Sequence, residues 1–388
     1  MSHTLPGECG ESHTLKFHGT GKDFFFICLI NVVLSLITCG IYIPWAVVRC
    51  RRYIYENMEL NGACFSYHAK GGAILLSWFA ISVAFLIISF AEYLITGSDE
   101  LQIGFWIFIL ISPCMAVKSL NYHAAMTELN NVRFGFHCST LRAWWLTMGM
   151  PILILIGCAI VIMGFGKLMG TPTSMNGIIA TIVLGAIAWI IICCALYGLV
   201  YRNWIQLFAN NFQFGIHRFN VDIKIARCIT ISIISMLIMV PFIATIFAII
   251  YSTLNNAGLG GLIFATSDMK YSLFLLYTVG ILLSTAYLFS ALRNYAFNNL
   301  TLAGDIRFQS SLTFFNVAVN LLIISLFSML TFGLAYPWLK VHFLRYQIEN
   351  TMVIGDLDKL ELKNDERPVE NGFFARISRG TASALPFL

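Results

Sequence analysis

Apolar residues dominate this chain in eight long blocks, which shorter polar stretches separate. Each block is about as long as the ~20-residue helix that crosses ~30 Å of hydrocarbon. Within the blocks, polar and apolar positions do not alternate as they do in the strands of membrane barrels. The pattern predicts an all-α polytopic transmembrane helical bundle of about eight hydrophobic segments. The blocks cover residues 24–48, 72–95, 101–120, 146–169, 177–200, 226–251, 271–292 and 313–339.

Composition also indicates a membrane protein. Of the 388 residues, 58% are hydrophobic and 11% are charged, whereas about a quarter of an ordinary soluble domain is charged. The first 23 residues lack the basic start, apolar core and cleavage site of a signal peptide, so we expect residue 24 onward to remain in the mature protein. We expect a polar N-terminal segment (1–23), a transmembrane domain (24–351) and a polar, solvated and loosely ordered C-terminal tail (352–388).

One segment near the start of the chain recurs near its end. Residues 38–62 align with residues 331–355 without a gap. This recurrence predicts one structural device at both ends of the bundle. The identical positions are Thr38/Thr331, Gly40/Gly333, Pro44/Pro337, Trp45/Trp338, Val48/Val341, Arg52/Arg345, Tyr53/Tyr346, Glu56/Glu349, Asn57/Asn350 and Gly62/Gly355.

A second recurrence lies in the segments that connect the blocks. Three of these segments carry a tyrosine, then a pair of asparagines, then a turn that contains phenylalanine. Because they recur at the period of a helical hairpin, they indicate a bundle built from repeated helical hairpins. The pairs are Asn130/Asn131, Asn210/Asn211 and Asn298/Asn299.

The distribution of positive charge predicts two alternative topologies. The only positively charged residues in the segments after the second, fourth and sixth blocks are Lys167 and Lys270. The positive-inside rule therefore places the other connecting segments in the cytoplasm. Eight full spans would then leave the basic C-terminal tail outside. Alternatively, the first and last blocks break at residues 38–44 and 331–337, enter the membrane and return, which leaves six spans and two re-entrant elements. The sequence leaves both topologies open.

The recurring segment supplies the main candidates for ligand or lipid contact. Arg52 and Glu56 are four residues apart on a predicted helix, as are Arg345 and Glu349. We expect each of these two pairs to form an ion pair. Anchoring by an aromatic belt and a basic rim that faces anionic headgroups competes with ligand binding as the role of these residues. The candidates are Pro44, Trp45, Arg49, Arg52, Tyr53, Glu56, Asn57, Pro337, Trp338, Arg345, Tyr346, Glu349 and Asn350.

Polar residues inside the blocks are few. Asn31, Asn316 and Asn320 are expected to pair between helices. No Lys, Arg or Asp lies at the middle of a block, which disfavours a proton pump or an ion exchanger. The cysteines show no metal-binding spacing, and no catalytic or nucleotide-binding fingerprint occurs in its required context. The sequence therefore predicts no metal, no cofactor and no catalytic residue.

With these motifs the chain resembles the YjgN family of bacterial inner-membrane proteins, which is defined by a domain of unknown function. The resemblance spans about residues 16–355. It rests on Thr-x-Gly-Ile-Tyr-x-Pro-Trp-Ala-x-Val-Arg at 38–49, on Arg-Arg-Tyr-x-x-Glu-Asn at 51–57, and on Arg-Asn-Tyr-x-x-Asn-Asn at 293–299. It implies a multi-pass protein of the bacterial inner membrane and supplies no substrate or reaction.

Two functions fit these observations. Internal duplication and broken terminal segments favour a transporter or permease-like protein for a small or amphiphilic solute. The alternative is a non-enzymatic membrane-organising or lipid-interacting protein. A membrane enzyme would need Glu56, Glu349, His68 and the asparagine pairs to meet in one cavity. The expected partners are membrane lipids with anionic headgroups and an unidentified small solute, and not nucleic acid.

Overall fold

Pairs of helices alternate with pairs of short strands along the chain. The computed structural model describes residues 12–97, 102–169, 175–263, 267–357, 362–365 and 370–381. The helices are α1 (Gly21–Ile37), α2 (Ile43–Glu56), α3 (Gly71–Thr96), α4 (Gln102–Ala125), α5 (Thr140–Trp144), α6 (Met150–Met169), α7 (Met175–Asn211), α8 (Ile225–Ile263), α9 (Ser267–Asn298), α10 (Phe314–Leu330), α11 (Tyr336–Glu349) and α12 (Phe373–Ser378), and a π-helical turn, Trp145–Gly149, joins α5 to α6. The strands are β1 (Ser12–Thr14), β2 (Lys16–Phe17), β3 (Met58–Leu60), β4 (Ala63–Tyr67), β5 (Thr127–Leu129), β6 (Val132–Phe136), β7 (Phe212–Phe214), β8 (His217–Val221), β9 (Leu300–Leu302), β10 (Ile306–Ser310) and β11 (Thr351–Ile354).

Six helical stretches in the described residues are long and apolar enough to cross a membrane. This confirms a helical, polytopic membrane protein, although the eight hydrophobic segments do not become eight spanning helices. The first and last blocks each form two shorter helices, α1–α2 and α10–α11. The spans are Gly71–Ile95, Gly104–Ala125, Thr140–Val161, Ala188–Asn211, Ile225–Thr253 and Met269–Asn298.

The break in each terminal block has a local cause. In the first block, Gly40 lies at φ +91° and its N–H donates to the Ser35 carbonyl at 2.7 Å, which ends α1. The Thr38 hydroxyl accepts from the Tyr42 N–H at 3.1 Å, and Pro44 then stands in the first turn of α2. The same bonds recur at 331–335, where Thr331 accepts from Ala335 at 3.0 Å.

A closed ring of strands corrects the all-α prediction. The strands form one antiparallel sheet in the order β1-β11-β10-β9-β8-β7-β6-β5-β4-β3-β2. Its two edge strands, β1 and β2, are consecutive in the chain, with Ser12 opposite Ile354 and Lys16 opposite Glu59. The first strand segment, 12–17, therefore closes the sheet into a ring. The polar connections do not predict strands, because strands of two to five residues show almost no periodicity.

Apolar side chains fill the inside of this strand ring. A phenylalanine lies at the middle of each of four strands. Their rings form a chain of contacts that also includes Phe212, and successive ring centroids are 5.6–6.1 Å apart. On the opposite strand face lie exposed arginines, at the position before the phenylalanine in β6, β8 and β10. The inward phenylalanines are Phe65, Phe134, Phe219 and Phe308; the outward arginines are Arg133, Arg218 and Arg307.

The helices form a second ring that stands on the strand ring. Each described helix from α1 to α11 packs extensively on its neighbours in the chain, and α11 packs on α1. Every helical hairpin leaves the strand ring after one strand and returns to it before the next. The wall of the helical ring is consequently one helix thick.

The C-terminal tail is not a free appendix, and that prediction is wrong for the described residues. Its first residues belong to β11, and Leu357 packs against the apolar filling of the strand ring. The Asn364 side chain then accepts from the Arg133 N–H at 2.8 Å and donates to the Asn131 carbonyl at 3.0 Å. Helix α12 lies against both α3 and α4.

Candidate functional site

Tyrosine hydroxyls hold together the two ends of four helical hairpins. The Tyr53 hydroxyl accepts from the backbone N–H of Thr20, which caps α1. The Tyr346 hydroxyl accepts in the same way from Thr313, which caps α10. Two further tyrosines, outside the recurring segment, do the same for α3 and α8. The four oxygen–nitrogen distances are Tyr53–Thr20 2.7 Å, Tyr122–Lys70 3.3 Å, Tyr295–Lys224 2.9 Å and Tyr346–Thr313 3.1 Å.

The neighbouring arginines, Arg52 and Arg345, each join their own hairpin to the next one around the ring. Arg52 donates to the carbonyls of Tyr67 and Ala69 at 3.2 and 3.5 Å, at the point where the chain leaves β4 for α3. Arg345 donates to the Gly19 carbonyl at 2.8 Å, between β2 and α1. Because α11 lies at the end of the chain and α1 at its start, Arg345 closes the ring.

The two tryptophans of the recurring segment pack at the same junctions. The indole of Trp45 lies against Gly71, the first residue of α3, and the indole of Trp338 lies against Gly21, the first residue of α1. Pro44 and Pro337 are buried beneath them. A glycine is needed at position 71 because an added Cβ would lie 2.6 Å from the Trp45 ring.

The asparagines of the recurring segment end their helices. Asn57 and Asn350 each donate from the side-chain amide to the carbonyl four residues earlier, at 2.7 Å. Asn211 and Asn299 make the same bond at 2.7 Å. These bonds satisfy the last carbonyls of helices that lead directly into strands.

The three asparagine pairs are therefore not equivalent. Asn130 and Asn131 form the turn between β5 and β6 with φ of 51° and 62°, values that suit a two-residue hairpin. In the other pairs the first asparagine accepts from a strand instead, Asn210 from the Val221 N–H at 2.8 Å and Asn298 from the Ser310 N–H at 2.7 Å. They pin the far strand of each hairpin to the preceding helix.

The predicted ion pairs within α2 and α11 are wrong. The arginines donate to backbone carbonyls of the next hairpin, while Glu56 and Glu349 are exposed. Arg49 is also exposed on α2. A guanidinium with several donors bonds the otherwise unpaired carbonyls at a strand end in preference to a solvated carboxylate.

The intramembrane asparagines have different surroundings. Asn31 is buried and donates to the Ala46 carbonyl and to the Cys50 sulfur, both at 3.4 Å, which joins α1 to α2. Asn320 bonds the Asn316 carbonyl within its own helix, and Asn316 is exposed. Only Asn31 therefore makes the interhelical contact expected of all three.

A buried polar groove that the sequence does not predict lies between α3 and α4. Ser119 donates to the Arg379 carbonyl at 2.8 Å, and the His123 Nε2 lies 3.1 Å from that oxygen. Trp78 donates to the Gly380 carbonyl at 3.1 Å. His123 also bonds the Tyr67 hydroxyl at 2.6 Å. The groove thus binds backbone carbonyls of the tail, which no local sequence signal indicates.

Arg293, the first residue of the motif at 293–299, is a further functional candidate because of its contacts in the structure. It is 8% exposed, and its guanidinium donates to the hydroxyls of Ser310 and Thr351 at 3.1 and 3.3 Å. It also lies 4.7 Å from the centre of the Phe297 ring. Its partners tie α9 to β10 and β11, so this buried charge joins the helical ring to the strand ring.

The chemistry of this region is that of a structural joint. Burial raises the pKa of Tyr67, against a smaller opposing effect of Arg51, so the Tyr67 hydroxyl remains protonated at neutral pH. In the part of the chain that the structure describes, no group of three His, Cys, Asp or Glu side chains is arranged to hold a metal ion. The tyrosines, arginines and asparagines bind backbone groups, and they hold the two rings in register.

Comparison with known proteins places the chain in a family. The model of the family described as "Bacterial protein of unknown function (DUF898)" matches residues 12–371. The inner membrane protein YjgN of Salmonella typhimurium (strain LT2) is 40% identical over the full length of both chains. The proteins of the same name from Escherichia coli O157:H7 and strain K12 are 39% and 38% identical over 97% of each chain. No solved structure matches.

The family match, the similarity to the inner membrane proteins and the six spanning helices agree with one another. The matched residues include every strand of the ring and the tyrosine, arginine, tryptophan and asparagine joints described above, but not the tail residues Arg379 and Gly380. The chain belongs to the DUF898 family of bacterial proteins of unknown function and is a multi-pass protein of the inner membrane.

Proposed function

We propose that this protein is a transporter or permease-like protein for a small amphiphilic solute, with the helical ring as its wall and the strand ring as its cytoplasmic end. The observation that carries the proposal is the closed strand ring with apolar filling beneath the helical ring. We infer that a wall one helix thick around a closed base encloses a path across the membrane, and a path without midspan charges suits an amphiphilic solute better than an ion.

The proposed topology has six spans and two re-entrant hairpins, with the strand ring in the cytoplasm. Two observations support it. Outside the turns at the far ends of the long hairpins, which carry Lys167 and Lys270, the Lys and Arg residues other than Lys340 on α11 lie near the strand ring, at its junctions or in the terminal segments. The helices α1 and α2 also leave and re-enter the same strand ring, as do α10 and α11. Eight full spans would separate these ends by the thickness of the membrane.

The matched joints support a repeated structural unit. Tyr53 and Tyr346 hold corresponding helix caps, and Asn57 and Asn350 end corresponding helices. We infer that the unit is one helical hairpin with the strand pair that follows it. Five copies of this unit around the ring would account for the bonds shared by the different hairpins.

Flux measurements on reconstituted vesicles test the transport proposal. We expect protein-dependent release of amphiphilic fluorescent solutes from vesicles that hold the full chain. Phe134 is part of the apolar filling of the strand ring, where its ring centroid lies 4.9 Å from that of Phe214 and 6.1 Å from that of Phe65. Phe134→Ala should therefore open the filling and increase that release. Phe90→Ala is the control, since Phe90 is exposed on α3. Failure of the whole solute panel to move above the level of empty vesicles would refute the proposal.

One observation favours the alternative, a lipid-interacting protein that transports nothing. The outward face of the strand ring carries the exposed Arg133, Arg218 and Arg307, and Arg49 is exposed on α2. Arginines at the cytoplasmic rim attract anionic headgroups. Protein-dependent clustering of anionic lipid without solute release would support this alternative, and replacement of Arg49 and Arg218 by Gln should weaken the clustering.

A further inference from the structure

The wall of the helical ring has two different heights. The six spanning stretches have 22–30 residues, or about 33–45 Å at 1.5 Å per residue. By contrast, α1 and α10 have 17 residues and α2 and α11 have 14, or about 25 and 21 Å. Because α11 packs on α1, the two short hairpins are adjacent. They form one continuous low sector of the wall, between α9 and α3.

The tips of the short hairpins are apolar and exposed. Ile37 and Ile41 are 73% and 60% exposed, and Phe332 is 97% exposed at the top of the other hairpin. No charged residue occurs in 34–43 or 327–336; the nearest charge in the sequence, the Lys340 ammonium on α11, lies 5.9 Å from the centre of the Tyr336 ring. The turns of the long hairpins, in contrast, carry charged residues such as Lys270. Turns that project apolar side chains are stable in hydrocarbon and not in water. The low sector consequently ends within the bilayer.

The space above the low sector is bounded by apolar helix surface. Of the most apolar window in each span, only 6–33% is buried in protein, because each helix packs mainly on its ring neighbours. Several polar side chains in these spans bond their own helices, as Thr245 bonds Pro241 and Thr278 bonds Phe274 at 2.8 Å, and Ser235 and Ser284 bond each other between α8 and α9. Acyl chains cover such a surface at lower free energy than water does.

We propose that the low sector is a lateral portal through which the acyl chains of a phospholipid enter the helical ring from the leaflet far from the strand ring. This inference names the substrate class of the proposed transport and rests on that proposal. The tips of α1–α2 and α10–α11 form the lower edge of the portal, and α9 and α3 form its sides. Phe332 lies at this lower edge, where it contacts the acyl chains.

Measurement of the depth of residue 332 in the bilayer tests the position of the lower edge of the portal. The full chain with Phe332→Cys, labelled with a fluorophore, is reconstituted with phosphatidylcholine brominated deep in its acyl chains, or with a headgroup-quenching lipid. The portal requires strong quenching by the brominated chains and weak quenching by the headgroup. Tyr271→Cys at the start of α9 is the matched control and should give the opposite order, because Tyr271 is 71% exposed near the end of a long helix. A Phe332 label that is quenched mainly from the headgroup overturns the portal.

Measurement of lipid movement between leaflets tests whether phospholipids pass through the portal. Vesicles containing NBD-phosphatidylethanolamine are treated with dithionite to measure movement between leaflets. We expect protein-dependent exchange that falls about tenfold or more in Phe332→Asp, because a carboxylate is disfavoured in hydrocarbon, and that is unchanged in Tyr271→Asp. Release of amphiphilic solutes without lipid exchange would overturn the portal and leave the transport proposal intact. Absence of both would refute the transport proposal itself.

Discussion

The hydroxyl oxygen of Tyr53 lies 2.7 Å from the backbone nitrogen of Thr20 and donates to the carbonyl of the same residue at 3.0 Å. Thr20 begins the first helical hairpin, and Tyr53 lies near its end. The Tyr53 side chain thus makes both hydrogen bonds that join the start of α1 to the end of α2. The hairpin cannot open at its base without the loss of both bonds.

Removal of that hydroxyl should weaken the first hairpin. Tyr53→Phe keeps the ring, which lies 5.6 Å from Phe24, and loses two hydrogen bonds. At about 1 kcal/mol for each bond, we expect the free energy of unfolding to fall by about 1–2 kcal/mol, measured by denaturant titration in detergent. Tyr42→Phe is the control, because within the described residues the Tyr42 hydroxyl makes no hydrogen bond. An equal loss in both variants would contradict the joint.

Two adjacent glycines give a sharper test of the tryptophan joint. An added Cβ at Gly71 would lie 2.6 Å from the Trp45 ring and 3.0 Å from its Cα, whereas at Gly72 it meets nothing within 4 Å. Gly71→Ala should therefore destabilise the fold by about 1–3 kcal/mol through overpacking. Gly72→Ala should be neutral or stabilise α3 by about 0.5–1 kcal/mol. Thermal unfolding of the two variants side by side measures the difference. Similar melting temperatures would show that Trp45 does not pack there.

The membrane-spanning part of the fold follows from the sequence, and the strand ring does not. A run of about 20 apolar residues has little choice in lipid except a helix. The strands are too short for periodicity to identify them. Their visible signals are the Asn61–Gly62 pair, whose φ values of 51° and 79° suit a hairpin turn, and the Arg-Phe pairs in β6, β8 and β10.

For the candidate site, residues of the recurring segment form structural joints, and the ion pairs predicted from their spacing are wrong. Tyr53 and Arg52 do form a joint, but their partners Thr20 and Tyr67 belong to other elements and become neighbours only when the ring closes. The spacing of Arg52 and Glu56 predicted a local pair because helix geometry is all that the sequence supplies. Long-range carbonyls compete for the guanidinium, and they are invisible before folding.

The docked tail should stabilise the base of the α3–α4 hairpin. A chain that ends after Glu370 lacks α12 and leaves Ser77, Ser119 and Trp78 without the tail carbonyls that they bond. At about 0.5–1.5 kcal/mol for each bond, the loss should reach about 2 kcal/mol or more. Hydrogen exchange should rise at 71–78 and 117–123. A chain that ends after Thr381 retains every described contact and is the control. Equal exchange in the two chains would mean that α12 does not dock in solution.

Cysteine labelling distinguishes six spans from eight. Thr14 is exposed on β1, and native Cys64 is exposed on β4 of the same strand ring, whereas Lys270 is exposed at the far end of α9. In chains that retain one cysteine each, Thr14→Cys and Cys64 should react with a membrane-impermeant maleimide in inside-out vesicles only. Lys270→Cys should react in intact spheroplasts only. The physical reason is that α1 and α2 return to one strand ring, so residues 14 and 64 share a membrane face. Labelling of Thr14→Cys from the spheroplast exterior, with Cys64 protected there, would require the first block to cross the bilayer, and both the strand ring and the lateral portal would then be wrong.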